Sequence, residues 1–570
     1  MTFRVWAPRA TRVTVVSDDA RVPLERGEHG YFELAPPNAA PIGDYFLSLD
    51  DGPPLPDPRT AHQPAGIHGP SRRVNHAAFA WSDGNFQAPP LAAGVVYELH
   101  VGTFSERGTF DGAIEHLDEL VELGISHVEL MPVCEFSGGR GWGYDGVNLF
   151  APHHAYGGPE GLKRLVDACH ARGLAVILDV VYNHLGPRGN HLNRFGPYFT
   201  EGHTPWGAAV NLRRAGSDEV RRFFIDNALM WLEDYHLDGL RLDAVQAFED
   251  DRAFPFLAEL ARAVQAAGEK RGKHWELIAE CDRSDPRTTR SLRAGGLGMT
   301  AQWSDDFQFA LHAFFTGEHN GRLQDFGELA DVAHVLAHGF RHQDTFSAFR
   351  GRVHGHPFER PEQRRLVGYL QTHDQVGNRP RGERFSALVT RPVLEQAAAL
   401  MLLAPFVPML FQGEEWAAST PFLYFTDHGE AALARDVKAG REREYHALGF
   451  DLRGALDPES EEAFVRSRLV WCERDAPGHR AVLDWYRTLI RLRRAEPDFQ
   501  ALPTTVEFDE SEGWLVLDRG RWAVAVVTAR EARQVPLAGP AELVLERGHV
   551  ELEAGRVRVG PHGVAVFRRR

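Results

Sequence analysis

The sequence predicts an α/β fold, a (β/α)8 barrel carrying a small β domain at each end, on three observations. From Val95 to Arg494, apolar strand-like runs alternate with segments of helical period. Polar residues repeatedly close those runs: Asp179 after Ala175-Val-Ile-Leu, Asp243 after Gly239-Leu-Arg-Leu, Glu280 after Trp275-Glu-Leu-Ile-Ala, and Gln371-Thr-His-Asp374 after Leu366-Val-Gly-Tyr-Leu. Carboxylates and histidines at the C-terminal ends of parallel strands are what an active site on the top face of such a barrel requires. Before residue 90 and after Pro497 the pattern changes to short strands set between turn residues.

Residues 1–90 contain Phe3-Arg-Val-Trp, Arg12-Val-Thr-Val-Val, Tyr31-Phe-Glu-Leu and Tyr45-Phe-Leu-Ser-Leu, which predict a small β-sandwich. The proline-punctuated run from Pro53 to Pro70 reads as the linker out of it. Residues 91–497 form the predicted barrel. Strand one is Val95-Val-Tyr-Glu-Leu-His, followed by a helix from Phe110 to Leu123 with Gly124 as its C-cap, and strand two at His127-Val-Glu-Leu-Met. Helix Gly161–Arg172 leads to strand Leu174–Asp179, helix Asp218–Tyr235 to Gly239–Asp243, and helix Phe254–Ala267 to Glu276–Glu280. Strand six is placed near Met299–Trp303, helix Arg391–Leu403 precedes the strand Val407-Pro-Met-Leu-Phe, and the last helix is Val482–Arg494. The series continues without a reversal point, which favours a closed barrel over a doubly wound sheet. Residues 498–570, with Trp514-Leu-Val-Leu, Trp522-Ala-Val-Ala-Val-Val and Val564-Ala-Val-Phe, predict an antiparallel β domain.

A chain of 570 residues is expected to hold about two to four domains. The net charge of −16 argues against nucleic-acid or anionic-membrane partners and is neutral toward an uncharged sugar. The start MTFRVWAPRA lacks the features of a signal peptide, and the apolar stretch Ala397–Phe411 is broken by Pro405 and Pro408. Cys134, Cys169, Cys281 and Cys472 show no CxxC spacing and read as buried reduced thiols. These features predict a cytoplasmic protein. The glycines at 138, 139, 141 and 143 lack the context of a phosphate-binding loop. The pairs His153-His154 and His354-Gly-His356 have no carboxylate or cysteine at ligand spacing, so no metal and no cofactor are expected.

The order Asp179, Asp243, Glu280, Asp374, with Asp179-Val-Val-Tyr-Asn-His184 and Gln371-Thr-His-Asp374, resembles the catalytic pattern of the α-amylase superfamily of retaining glycosidases. The opening Phe3-Arg-Val-Trp-Ala-Pro8 resembles the N-terminal immunoglobulin-like domain of branching and debranching enzymes. The resemblance implies Asp243 as nucleophile, Glu280 as general acid/base and Asp374 as third carboxylate, holding the sugar's 2- and 3-hydroxyls. Retention needs two carboxyls roughly 5–5.5 Å apart, which the tips of neighbouring strands four and five can supply. Glu280 must be protonated at neutral pH, so burial and the Asp243 charge are expected to raise its pKa. Arg241, on the same strand face as Asp243, is expected to orient it. The resemblance implies His184 and His373 as hydrogen-bonding clamps, and the segment Gly141-Trp-Gly-Tyr-Asp145 implies Tyr144 as the ring-stacking residue, with Asp145 beside it in the binding site. Alone, each of these has a bland reading as a helix cap or surface charge; their joint order around one barrel is what carries the enzyme reading. Asn183 corresponds to a calcium-ligand position in α-amylases, but Leu185–Asn211 offers no acidic cluster, which argues against calcium.

Gln246 and Ala247 stand where α-amylases place a Lys-His pair, which speaks against ordinary endo-amylase specificity. Tyr97-Glu-Leu-His-Val-Gly-Thr-Phe104, Gln302-Trp-Ser-Asp-Asp-Phe307, Phe349-Arg-Gly-Arg-Val-His-Gly-His-Pro357, His373-Asp-Gln-Val-Gly-Asn378 and Phe411-Gln-Gly-Glu-Glu-Trp-Ala-Ala-Ser-Thr-Pro-Phe422 resemble the malto-oligosyltrehalose trehalohydrolase family. That resemblance implies hydrolysis of the α-1,4 bond beside a terminal trehalose, a malto-oligosyltrehalose or maltodextrin substrate, and a malto-oligosyltrehalose synthase as functional partner. Asp305, Asp306 and the Glu414-Glu415-Trp416 segment are the candidates for reading the trehalose, because carboxylates suit hydroxyls and aromatics suit ring faces. A glucan branching transferase shares the N-terminal domain and the triad and is the alternative; a non-catalytic glucan-binding barrel is the third reading, opposed by the intact triad.

Overall fold

The computed structural model describes residues 3–34, 43–357, 360–499, 504–553 and 556–569. At its centre eight parallel strands close into a barrel in sequence order: β1 (Val96–Leu99), β2 (His127–Leu130), β3 (Ala175–Val180), β4 (Gly239–Leu242), β5 (Glu276–Ala279), β6 (Ala301–Trp303), β7 (Leu366–Gly368) and β8 (Val407–Phe411). The last pairs with the first, Met409 beside Val96 and Phe411 beside Glu98, so no edge is left open. These strands are buried on both faces, which is why they read as continuous apolar runs rather than as alternations.

Helices cover the outside: α1 (Gly158–His170), α2 (Ser217–Asp234), α3 (Phe256–Arg271), α4 (Asp305–Thr316), α5 (Arg391–Leu403) and α6 (Pro477–Ala495). In α6, Val482, Leu483, Trp485, Tyr486, Leu489 and Ile490 form the buried stripe. The helix expected over 110–123 is two pieces, Phe110–Ile114 and Leu117–Leu123. The chain breaks where His116 leaves helical geometry and stacks on Trp471 at 4.0 Å. Gly124 ends the second piece at φ 99°, its N–H returning to the carbonyl of Leu120, as the sequence predicts. Among the elements beyond the sequence reading are α4, the helices Leu329–His338 and Ala431–Ala447, and the hairpins Phe199–Thr204/Gly207–Val210 and Gln343–Ser347/Arg352–Gly355.

Two small antiparallel sheets precede the barrel. One orders Arg4–Trp6, Tyr31–Glu33 and Glu25–Arg26; the other orders Arg21–Pro23, Val13–Val16, Asp44–Leu49 and Ser71–Arg72. Phe3 meets Tyr45 edge to face between them, at 5.4 Å. The proline-rich run after Pro53 is folded rather than loose: Leu55 bridges to Leu47, and buried Asp57 accepts from the Tyr45 hydroxyl. Trp6 packs on Tyr198 and Arg59 pairs with Asp226 at 2.8 Å, which seats this unit on the barrel. After α6, a five-stranded antiparallel sheet (Thr505–Asp509, Trp514–Arg519, Trp522–Val527, Val564–Arg569, Ala541–Arg547) packs on α5 and on the helix Leu329–His338, and a three-stranded sheet packs against the five-stranded one. Gln396 of α5 donates to the carbonyl of Val527 across the first of these contacts.

Cys134, Cys169 and Cys281 are buried as expected, but Cys472 is exposed, because it lies in the short surface turn Trp471–Asp475. No helix among the described residues is long and apolar enough to cross a membrane.

Candidate active site

The C-terminal ends of the strands gather most of the sequence-predicted residues around one guanidinium. Arg241 on β4 is fully buried and its charge sits 4.1 Å over the Trp303 ring. Its Nη1 donates to Asp179 Oδ2 at 2.6 Å and Asp243 Oδ1 at 3.0 Å, and its Nη2 to Glu280 Oε2 at 2.8 Å. One planar cation thus fixes three carboxylates from β3, β4 and the end of β5. Asp243 also accepts from Asn183 Nδ2 at 2.6 Å. Asn183, considered from the sequence as a calcium position, instead aims this carboxylate.

The chain just after Asp243 turns sharply, Ala244 adopting φ 39°, and this points its N–H at Glu280 Oε2 (2.8 Å). Burial, together with the negative charges of Asp243 and Asp374, pushes Glu280 up to about 7 despite Arg241. Burial raises Asp243 too, with Arg241 and the Asn183 amide acting against it. Both carboxylates thus share the Arg241 guanidinium, and each accepts one further N–H, Asp243 from the Asn183 amide and Glu280 from the Ala244 backbone.

Asp374 and His373 open the short helix His373–Gly377, capped by Thr372. Asp374 accepts from Asn378 at 3.1 Å and leaves its carboxylate partly exposed to the cleft. Tyr144 donates its hydroxyl proton to Asp179 Oδ2 at 2.6 Å, lies 2.8 Å from His373 Nε2, and stacks on the His373 ring at 5.1 Å. Gly143 makes this possible: at φ 99° it lies so close to Pro132 that a Cβ would stand 2.1 Å from the Pro132 carbonyl oxygen. The glycines of this loop serve backbone approach. His184 bonds Asn183 through Nδ1, stacks with half-exposed Trp206 at 5.7 Å, and is pushed down to about 4 by burial. Asp145 stands at the rim, 4.0 Å from His428.

The trehalose-side candidates separate. Asp305 accepts from Tyr369 at 2.6 Å and faces Arg322 at 3.6 Å; burial raises it to about 6, with the nearby Glu280 charge adding and Arg322 opposing. Asp306 points its Oδ2 at the Arg341 N–H (2.8 Å) and Ser284 hydroxyl (3.3 Å), holding loops rather than facing open space. Glu414, Glu415 and Trp416 are buried beneath β8, Glu414 against Tyr486 and Glu415 against Tyr97. Their expected contact with sugar is therefore corrected: they lie in the protein interior, because the short turn Glu414–Trp416 folds inward under α6. Arg322, Arg350 and Tyr369 were not predicted; Arg350 donates to the Asp282 carbonyl at 3.1 Å, in the loop after Glu280.

One cluster has metal-like composition. Glu135 sits with His153 and His154, a carboxylate that the local spacing did not reveal. Two of its members are engaged with the protein: His153 Nδ1 accepts from the Ala155 N–H, and His154 Nδ1 bonds Glu135 at 2.7 Å, while His153 Nε2 stands 3.7 Å from Glu135.

Residues 75–196 match the family model of the alpha amylase catalytic domain. The chain is 47% identical to the malto-oligosyltrehalose trehalohydrolase of Arthrobacter ramosus, covering 99% of both chains. It is 43% identical to that of Rhizobium sp. (strain M-11), over 99% of this chain and 97% of the relative. A Salmonella typhimurium crystal structure provisionally assigned as an alpha amylase superposes with a TM-score of 0.91 at 34% identity, covering 100% of this chain and 97% of that one.

Proposed function

Because the chain belongs to the malto-oligosyltrehalose trehalohydrolase family, we propose that it hydrolyses the α-1,4-glucosidic bond next to the terminal trehalose of malto-oligosyltrehalose by double displacement through Asp243, Glu280 and Asp374. The observation that carries these roles is the Arg241 guanidinium joining Asp243 and Glu280, with burial raising Glu280 to about 7. In the first step an Asp243 oxygen attacks the anomeric carbon while that carbon's bond to the bridging oxygen breaks. Glu280 gives its proton to that oxygen, and trehalose leaves. In the second step the Glu280 carboxylate takes a proton from water, the hydroxide adds to the anomeric carbon, and the Asp243 ester bond breaks, giving the shortened malto-oligosaccharide with retained configuration. Asp374, His373 and His184 would hold the hydroxyls of the reacting glucose, Tyr144 its ring face, and Asp145 the rim.

Asp305, paired with Tyr369 and Arg322, is the best-supported trehalose-side residue, since it lies close enough to Glu280 to feel its charge. The substrate carries a terminal trehalose and so must come from a synthase that builds a 1,1 linkage; that enzyme is the functional partner, and both would work in the cytoplasm. Comparing kcat/KM for malto-oligosyltrehalose and for the malto-oligosaccharide of equal length tests this reading. Two or three hydroxyl contacts at about 0.5–1.5 kcal/mol each predict a preference of roughly ten- to a thousandfold. Equal efficiency, or branching of amylose without trehalose release, would reject it.

A further inference from the structure

Inside the barrel, below the reacting groups, lies a carboxylate that none of the roles above uses. Glu98 on β1 is buried, and its Oε1 bonds His373 Nδ1 while its Oε2 accepts the His373 backbone N–H at 3.0 Å. The proton count around His373 follows from its partners. The single hydroxyl proton of Tyr144 goes to Asp179, so Tyr144 accepts at its oxygen from His373 Nε2. The other ring nitrogen faces a carboxylate. Both nitrogens therefore donate, and His373 is an imidazolium. Buried histidines of the same region without a carboxylate partner behave oppositely: burial pushes His100 down to about 4, as it does His184.

Glu129 on β2 is the register partner of Glu98 and equally buried, yet neither of its carboxyl oxygens has a hydrogen-bond partner among the described residues. Burial and the adjacent Glu98 charge hold it well above the usual carboxylate range, and with no donor bonded to either oxygen a charge there would be uncompensated. The groups facing His373 are then Glu98 from β1, Glu129 from β2, Asp179 from β3, Arg241 from β4, Tyr144 and His100 from loops, and Asp374 from its own helix. Asp374 contributes to the charge on the ring, but it is partly exposed and 3.5 Å away. Glu98 is the buried, directly bonded one.

We propose that Glu98 is a positioning residue for catalysis: it keeps His373 protonated on both ring nitrogens and fixes the start of the helix that carries Asp374, while Glu129 beside it stays uncharged so that the barrel interior holds one anion under the site. This rests on the site roles assigned above. Burial opposes the charge, but Glu98 and Asp374 together hold His373 up to about 9, above Glu280 at about 7. Through neutral pH the wild-type enzyme therefore loses activity by deprotonating Glu280, with His373 still charged.

The test is the pH profile of kcat/KM on malto-oligosyltrehalose for wild type, Glu98→Gln and Glu129→Gln. Glu98→Gln is expected to lose about ten- to a hundredfold at pH 7, the scale of one buried charge-assisted contact. That loss should shrink toward acid pH, moving the optimum down by about one to two pH units. Glu129→Gln should keep the wild-type profile. A Glu98→Gln loss that is the same at every pH would reduce Glu98 to a structural support and overturn the proposal. A Glu129→Gln profile shifted like that of Glu98→Gln would overturn the charge assignment. Should Glu98→Gln fail to fold, His373→Gln carries the test: Glu98, left buried without its cation, then lowers Tm between pH 5 and 8 relative to wild type, and unchanged pH dependence of Tm overturns the proposal. Loss of the site reading itself would show separately, as a fully active Asp243→Asn.

Discussion

Arg241 shows how one residue organises a cluster of carboxylates. It is inaccessible to substrate, yet it sets the spacing and charge of Asp179, Asp243 and Glu280. Asp243→Asn and Glu280→Gln are each expected to cut turnover by several orders of magnitude with the fold intact, because they delete interactions made only in the transition state. Near-wild-type turnover with an unchanged circular dichroism spectrum would refute the assignment. The pH dependence follows with a definite sign. As the proposed acid Glu280 must be protonated, so kcat/KM is expected to fall as pH rises through about 7. As the proposed nucleophile Asp243 must be ionised, and since burial raises it, the acid limb is expected above the range of an ordinary aspartate. A titration of rate whose alkaline limb lay near 4 would contradict the Glu280 environment. At this scale the sequence was most legible, because strand ends place polar residues at fixed positions: Asp243, Glu280, Asp374, His373, Tyr144 and Arg241 lie together at one end of the barrel. Glu98 escaped notice because its partner His373 lies at the other end of the chain's barrel series, and Glu414-Glu415 misled because carboxylates suited to sugar hydroxyls are here buried against tyrosines.

Elements explain why the residues can meet. The loop Gly141-Trp-Gly-Tyr passes close over Pro132, so Gly143→Ala should cost more than about 1 kcal/mol and displace Tyr144. A raised KM with lowered kcat and a lower Tm is the expected readout; an unchanged KM would mean that Tyr144 does not stack on substrate. Asp306, which holds the chain at Arg341, and Asp305, which faces Arg322, should also part ways under substitution. Asp305→Ala is expected to shrink the preference for malto-oligosyltrehalose over plain malto-oligosaccharide more than it lowers turnover of the latter. Asp306→Ala should lower Tm and affect both substrates alike; a selective effect of Asp306→Ala alone would reverse their roles. The barrel strands and most helices were readable from period. The hairpins at 199–210 and 343–355 were not, since Phe199–Thr204 and Gln343–Ser347 are mostly polar and offer no alternating apolar face.

Across the whole molecule, the buried Glu414 and Glu415 link stability to pH. Burial raises them to about 8 and about 7, with hydrogen bonds from Tyr486 and Tyr97 only partly compensating. Both exceed the ordinary value of about 4.3 in an unfolded chain, so between those pH values the folded state binds more protons. Stability is therefore fully present below the unfolded value and declines as pH rises toward 8. Glu414→Gln should gain Tm relative to wild type at pH 8 and show less gain at pH 5; the reverse order would mean that Glu414 is ionised in the native protein. The central claim is that this barrel releases trehalose by retaining hydrolysis, and one measurement addresses it most directly. Proton NMR of maltotriosyltrehalose mixed with the enzyme is predicted to show trehalose and maltotriose, the maltotriose appearing first as its α-anomer. First appearance of the β-anomer, or consumption of substrate without free trehalose, would contradict the account.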